Sequence, residues 1–379
     1  MDVEVRIVRK GMLDSDDRVV QQLMLTGVPV MPGASQDLLL EWDGRVSTDI
    51  TVTPSVTDRQ LTDSSGRQPP AEIFKPDPEL LPDQYAFPAL YDVQRIIVKE
   101  TGAGNVLFDT LVSGARFSVP QINYLDFTVD RDGVSGPDFD CDLNMIGALN
   151  DPDTGQPTRR QEVIDRILMY VQEDLEPVPG LPPLTVNQRY TLVQPPNEPF
   201  LKIDVGGSSG VNCRLGLARY GDFLNQVVHD ELSGTPPDVF GIFPRSITLC
   251  FQQNSCFVSF FSAVSSSCEV AGTATAWPDA GDAFSRAVAV TITHENGHAS
   301  GLVAPEDEAL LEQRSPLNGD SDYHNQNPPQ GTAFFMNEGL TWEEFVEGWC
   351  GGLPDSPATF LLSNHRYLLE VHPKTGSLR

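Results

Sequence analysis

Two histidines four residues apart, with a glutamate directly after the first, form the pattern with the clearest chemical meaning. On an α-helix, His294 and His298 would lie on one face, where both imidazoles can bind one metal ion. Neutral imidazole is a good ligand for Zn²⁺, and Glu295 would reach a zinc-bound water rather than the zinc itself. The chain has 6 histidines in 379 residues, so a chance match is rare. The pattern predicts metal-assisted hydrolysis, most often of a peptide bond.

The residues on either side of this pattern predict how it is positioned. Residues 282–293 are mostly small or apolar and free of Gly and Pro, which favours a buried helix leading into the metal site. Their β-branched members weaken helix propensity, so burial must stabilise the helix. Gly301 follows His298 by three residues and can end the helix in a sharp turn. Such a turn can bring a later residue back to the metal.

A catalytic zinc usually has three protein ligands and one open position. The stretch from His294 to Gly301 resembles the metzincin metalloproteases, whose pattern is His-Glu-x-x-His-x-x-Gly-x-x-His followed by a methionine turn. The position of the last histidine in that pattern holds Ala304, which has no donor atom. The resemblance is to a divergent, bacterial-type group with a long loop at this point. It implies that His324, which is followed by an asparagine, is the third ligand and that Met336 packs beneath the ligands.

Acidic residues are alternatives to His324, because carboxylates are also acceptable zinc ligands. A first group lies close behind residue 304 and consists of Glu306, Asp307 and Glu308. A second group would serve in a gluzincin-type arrangement and consists of Glu338, Glu343 and Glu344. The sequence leaves this choice open.

The resemblance covers about residues 119–379. It implies a first strand at 124–127, a first helix at 161–175 and a later strand ending in a glycine turn at 201–207. The apolar spacing within residues 159–175 independently predicts a helix. We therefore expect an α+β fold, with a metzincin-like zinc catalytic domain at 119–379 that holds its metal between an upper and a lower subdomain.

Residues 1–118 have a different character, with no cysteine and no histidine. Short apolar or alternating runs, separated by Pro, Gly, Asp and Ser, occur at residues 3–8, 38–42, 50–56, 93–98 and 106–117. This pattern predicts a small β-sandwich-like N-terminal module. A polar, Pro-rich stretch at 62–83 is typical of a long loop.

The charge of the chain limits its partners. With 53 acidic and 25 basic residues, the net charge is −28. Such a surface repels nucleic acid and anionic lipid, so nucleic-acid binding is excluded as a principal role. No apolar run approaches the length of a membrane span. The expected partner is a protein or peptide substrate, and the oligomeric state stays open.

The sequence also contains a candidate site for a second metal ion. The acidic residues from Asp130 to Asp142 resemble a cation-binding loop, which makes Ca²⁺ a candidate cofactor beside one catalytic Zn²⁺. Their spacing does not match an EF-hand. It favours a solvated acidic turn instead.

The cysteine pattern bears on the compartment. None of the six cysteines belongs to a Cys-x-x-Cys pair, which argues against a structural zinc ribbon. An even number is typical of three disulfides in an exported protein, whereas six buried thiols would fit a cytosolic one. We expect a secreted or cell-surface protein whose signal peptide is absent from this chain.

These observations predict a secreted zinc-dependent endopeptidase, in which His294, His298 and His324 hold the metal and Glu295 is the general base. The alternative is a non-catalytic adhesion or matrix protein that retains a metzincin-like zinc fold. The intact Glu295 argues against that alternative, because a structural zinc site needs no adjacent base. A zinc hydrolase acting on a non-peptide substrate is a third hypothesis.

Overall fold

The structure is a computed structural model, and the chain in it divides into two compact units. One comprises Met1–Pro120 and Leu369–Arg379, and the other comprises Gln121–Leu368. The residues that the structure describes are 1–9, 18–29, 90–111, 116–118, 121–131, 133, 136–151, 153–175, 188–196, 200–211, 213–218, 240–275, 277–300, 302, 324–325, 333–337, 339–346, 359–360, 364 and 368. The assignment of 1–118 and 119–379 to two functional domains stays a prediction.

The N-terminal unit contains an antiparallel sheet in the order β2-β1-β3-β4, with β5 pairing β3. Its strands are β1 Asp2–Arg9, β2 Arg18–Leu25, β3 Leu90–Lys99, β4 Val106–Leu111 and β5 Arg116–Ser118. The strands predicted at 3–8 and 93–98 are confirmed, and the run at 106–117 forms two strands. The sequence pattern did not indicate β2.

Both faces of β1 are buried, so its polar side chains need partners. Glu4 accepts hydrogen bonds from Arg6 at 2.8 Å and from Lys99 at 2.7 Å. These two cations hold the pKa of Glu4 below its usual value against the opposing effect of burial. The predicted strands at 38–42 and 50–56 and the loop at 62–83 lie outside the described residues. The sandwich-like packing therefore stays a prediction.

The second unit is built on a parallel sheet in the order β7-β6-β8. The chain continues past β8 to a parallel bridge between Val205 and Ile242 of β10, and β10 pairs antiparallel with β9. A separate hairpin pairs β11 with β12. The strands are β6 Gln121–Asp126, β7 Gln188–Thr191, β8 Leu201–Asp204, β9 Gly216–Leu217, β10 Gly241–Ile242, β11 Phe261–Ala263 and β12 Thr273–Ala274.

Helices accompany this sheet, so the chain is mixed α and β, as the coarse fold class predicted. The helices are α1 Asp138–Met145, α2 Thr158–Glu173, α3 Pro244–Phe251, α4 Ser255–Phe260, α5 Asp279–Ala299 and α6 Trp342–Phe345. The predicted helices at 159–175 and 282–293 correspond to α2 and α5.

Helix α5, which carries His294, Glu295 and His298, is buried along almost its whole length. It packs against α2, whose apolar face supplies Val163, Ile167 and Val171. Nearby, Trp342 of α6 is fully buried against Phe257 and Phe261. The β-branched residues of α5 are thus stabilised by tertiary packing, as the sequence predicted.

Buried hydrogen bonds at two places, Asp174 and Asn296, fix the rotation of α5. Asp174, just after α2, accepts a hydrogen bond from Arg286 at 2.6 Å and one from Thr293 at 2.6 Å. On another part of the same helix, Asn296 donates to the hydroxyl of Tyr190 at 2.8 Å and to the side-chain oxygen of Gln188 at 3.0 Å. Because a buried polar group is costly without its partner, a rotated helix would be strongly disfavoured.

Disulfides connect distant parts of the second unit. Cys141 is bonded to Cys268 and Cys213 to Cys250, and Cys256 is also disulfide-bonded. Disulfides are typical of oxidising compartments. Among the helices that the structure describes, none has the length and apolar character needed to cross a membrane.

Removing the cation of the Arg286–Asp174 pair is expected to destabilise the protein. In Arg286→Met, Asp174 would keep a buried charge without its main counterion, and the free energy of unfolding should fall by about 3–5 kcal/mol. Urea titration followed by circular dichroism measures this change. Thr293→Val, which removes one hydrogen bond to the same carboxylate, should cost about 1.5–3 kcal/mol. If Arg286→Met lowered the free energy of unfolding by less than Thr293→Val does, the buried ion pair would not be the main restraint on α5.

Candidate metal centre

Three histidines from two separate segments converge in the second unit. His294 and His298 come from α5 and His324 from a later segment, and each offers one nitrogen such that all three lie within 4.8 Å of one another. The Nε2 atoms of His294 and His298 are 3.1 Å apart. Two nitrogens bound to a tetrahedral Zn²⁺ would be separated by about 3.3–3.4 Å, given their usual bond lengths. This group, which we call the His triad, could therefore hold a metal ion.

The tautomer of His294 is fixed by a hydrogen bond to the backbone. Its Nδ1 donates to the carbonyl oxygen of Phe335. A carbonyl oxygen can only accept, so Nδ1 must carry the proton and Nε2 keeps a free lone pair. A backbone carbonyl on the outer nitrogen of a ligand histidine is a common arrangement in metal sites.

The surroundings of the His triad favour neutral rings. Burial, followed by the proximity of His324, lowers the pKa of His294 to about 4. The pKa of His298 also falls well below its ordinary value, mainly through burial and then through the other two histidines. Neutral imidazole is the form that binds a metal. The donor set therefore fits a divalent transition metal.

His324 is brought to the triad by strand-like pairing of its neighbour. The backbone amide of Asn325 donates to the carbonyl of Met336 at 2.9 Å. Of the competing acids, Glu343 accepts from Asn254 and Glu344 closes a capping box with Thr341, so both are engaged at α6. The other competing acids lie outside the described residues, namely Glu306, Asp307, Glu308 and Glu338. Gly301 and Ala304 also lie outside them.

Met336 packs against α5 at Gly297, and its assignment to a metzincin-like methionine turn stays a prediction. It is fully buried, and a Cβ built on Gly297 would come within 2.4 Å of its sulfur. Gly297 sits between Glu295 and His298 in the helix. The missing side chain at residue 297 therefore provides the space in which Met336 packs against the ligand-bearing turn.

Glu295 is buried beside the first histidine, 7% exposed. A Cβ on Gly216 of β9 would lie 2.4 Å from the Glu295 Cγ, so only a glycine leaves room for this side chain. Burial raises the pKa of Glu295 to about 8, while a hydrogen bond from the Ala218 backbone amide and the charge of Arg214 act in the opposite direction. A carboxylate with a raised pKa binds a proton more strongly than an ordinary glutamate does, which suits a group that transfers protons.

Three of the acidic residues proposed for Ca²⁺, namely Asp138, Asp140 and Asp142, contact arginines instead. Asp142 accepts from Arg245 at 2.9 Å, and Asp140 pairs with Arg160. Asp138 accepts from the backbone amide of Arg131 at 2.9 Å. Within the described residues, the His triad is the group of three or more potential ligands that could hold a metal. The Ca²⁺ prediction therefore gains no support from these contacts.

Sequence reasoning singled out the histidines, Glu295 and Met336 but assigned no role to the two glycines or to Ala218. Their importance depends on which atoms approach them across the fold. One signal was a glycine inside the histidine motif, at residue 297, where most other residues would favour the helix better. That signal alone could not identify Met336 as the neighbour. The resemblance also included Gly216 and Ala218, without giving them a role.

Loss of His324 should weaken metal binding. We expect one divalent metal per purified wild-type chain and a depleted content in His324→Ala, because two ligands hold a metal less tightly than three. Elemental analysis measures both contents, and His229→Ala, a histidine to which the sequence pattern gives no metal role, is the matched control. An unchanged metal content in His324→Ala would instead assign the third position to an acid.

Adding a methyl group at Gly297 should disturb the packing of Met336. In metal-free protein, Gly297→Ala is expected to lower the free energy of unfolding by about 1–3 kcal/mol, although alanine favours helices. In a Met336→Ala background the same change should be neutral or stabilising. Urea titrations of the four proteins complete a double-mutant cycle. An equal cost of Gly297→Ala in both backgrounds would argue against the contact.

No family model matches this chain, and no curated protein or solved structure is detectably similar to it. Its function must therefore be argued from the geometry of the His triad and of Glu295.

Proposed function

We propose that this protein is a secreted zinc-dependent endopeptidase of the metzincin-like type. The observation that carries the proposal is the position of Glu295, a buried carboxylate that directly follows the first histidine of the His triad in α5 and accepts a hydrogen bond from the amide of Ala218. A purely structural metal site needs no such group and usually has four protein ligands. Three histidines and one adjacent carboxylate are instead typical of a hydrolytic centre.

Each residue has a distinct role in this proposal. The His triad would hold Zn²⁺, and the chemistry that the bound ion supplies is Lewis acidity toward the scissile carbonyl and toward water. Glu295 accepts a proton from the attacking water on its carboxylate and then donates it to the nitrogen of the leaving amine. The hydrogen bond from Ala218 orients the carboxylate for both transfers.

A peptide is favoured over other substrates by the position of β9. This strand pairs with β10 on one side, and within the described residues no strand pairs with its other side. An extended peptide can hydrogen-bond to such an edge. Because Gly216 and Ala218 also contact Glu295, a peptide laid along β9 would bring its amide bonds close to the general base.

Secretion is part of the same proposal. The disulfides Cys141–Cys268 and Cys213–Cys250 fit an oxidising compartment. Both lie in the unit that carries the His triad, and such crosslinks help a protease to resist digestion.

Replacing the general base should separate catalysis from metal binding. In Glu295→Gln we expect unchanged zinc content, because the amide keeps the size of the side chain. Peptide hydrolysis should fall by about 10²–10⁴-fold, because the amide cannot accept the proton. Elemental analysis and digestion of a casein-type substrate measure the two effects on the same samples.

Glu343→Gln is the matched control, since it makes the same chemical change at α6, outside the His triad. Full proteolysis by Glu295→Gln would contradict the mechanism. A wild-type protein that binds zinc but digests no protein would favour either the non-catalytic adhesion role or a non-peptide substrate. Absence of both zinc and proteolysis after zinc is supplied would overturn the proposal.

A further inference from the structure

Three asparagines in the second unit form a hydrogen-bonded group next to His324. We call Asn325, Asn337 and Asn364 the asparagine cluster. Asn325 donates through Nδ2 to the side-chain oxygen of Asn337 at 2.9 Å, and Asn364 donates through Nδ2 to the side-chain oxygen of Asn325 at 3.0 Å. Asn364 is fully buried and Asn325 nearly so. Because buried amides are costly when unpaired, these bonds favour a single arrangement.

The asparagine cluster joins segments that are far apart in the chain. Backbone hydrogen bonds accompany it, from the amide of Phe335 to the carbonyl of Thr359 at 3.0 Å and from the amide of Thr359 to the carbonyl of Ala333 at 3.2 Å. Hydrogen bonds therefore connect the segments at residues 325, 335 and 360 to one another. Phe335 and Phe360 add an aromatic contact with ring centroids 4.9 Å apart.

The hydrogen-bonded segments at residues 325, 335 and 360 also contact His294, the first candidate metal ligand. The carbonyl of Phe335 accepts the hydrogen bond from His294 Nδ1, and the next residue, Met336, accepts the hydrogen bond from the amide of Asn325. Phe335 thus holds His294 directly, and Met336 holds His324 through the adjacent residue, Asn325. The distance between these two ligands depends on how firmly the segment at 335–336 is held.

His324 needs such support more than the other two ligands. His294 and His298 are fixed by a long buried helix, whereas His324 lies outside every helix and strand of the described residues. A ligand on such a segment loses more conformational entropy on binding a metal unless its surroundings fix it beforehand. The asparagine cluster supplies this restraint from the residue directly after His324.

We propose that Asn364 is a positioning residue for the metal centre. Through Asn325 it holds His324 at ligand distance, so that a C-terminal segment outside the histidine motif controls metal affinity. The inference rests on the metal site of the proposed function and adds Asn364, to which no sequence motif gave a role. The positioning role does not depend on which substrate the protein hydrolyses.

The test compares zinc affinity in variants of the whole chain given by residues 1–379. Asn364→Leu keeps a similar volume but removes the donor to Asn325. Competition with a chromophoric chelator should show Zn²⁺ binding weakened by about 10–100-fold, as for other residues that orient metal ligands. The visible spectrum of the Co²⁺-loaded variant should also change, because the geometry of the third ligand is altered.

Two further variants separate positioning from general stability. Asn337→Ala removes the acceptor for Asn325 at a partly exposed position, so it keeps the test usable if Asn364→Leu fails to fold. It should weaken zinc binding in the same direction. Asn254→Ala is the matched control, because Asn254 caps α4 and hydrogen-bonds Glu343. It should lower the Tm of the metal-free protein and leave zinc affinity unchanged.

The possible outcomes are distinct. No zinc binding by the wild type would overturn the proposed function itself. A wild type that binds zinc, with Asn364→Leu and Asn337→Ala binding equally well, would overturn only the positioning role. Equal weakening by these variants and by Asn254→Ala would also overturn it, since the effect would then follow from stability alone.

Discussion

The hydrogen bond from His294 Nδ1 to the carbonyl of Phe335 is the contact on which the candidate metal centre depends. It connects the helix that carries two histidines to the segment that carries Met336, and through Met336 to Asn325 beside the third histidine. Because a carbonyl oxygen can only accept, the same bond directs the lone pair of Nε2 toward the other ligands. One backbone group therefore sets the tautomer of one ligand and contributes to the placement of another.

The rigid partner in this arrangement is helix α5. Its sequence has modest helix propensity, and its stability comes from burial against α2 and the aromatic residues around Trp342. Burial alone is not directional, so polar contacts are needed to set the rotation of the helix. Asp174 and Asn296 provide them at separate positions along the helix. The histidines point to one common place because these contacts exclude other rotations.

Space at the centre is controlled by glycines. Because Gly297 has no side chain, Met336 can pack against α5 at this position. Because Gly216 has no side chain, β9 leaves room for the side chain of Glu295. A methyl group at either position would fall within 2.5 Å of the neighbouring side chain. The sequence predicted that Met336 would be packed in the interior, and it singled out Glu295 as a candidate general base. It could not predict that glycines in different elements make room for them, since this depends on distances across the fold.

The sequence by itself determined the helix at residues 282–298, the pairing of His294 with His298 on one face, and the placement of Glu295 beside them. These features follow from the period of an α-helix, which is a local property. Only the tertiary structure decided how His324 joins them, which cysteines pair, and that Asn364 supports the third histidine. These contacts join residues dozens of positions apart. Local propensity carries no information about them, because they form only when burial brings the segments together.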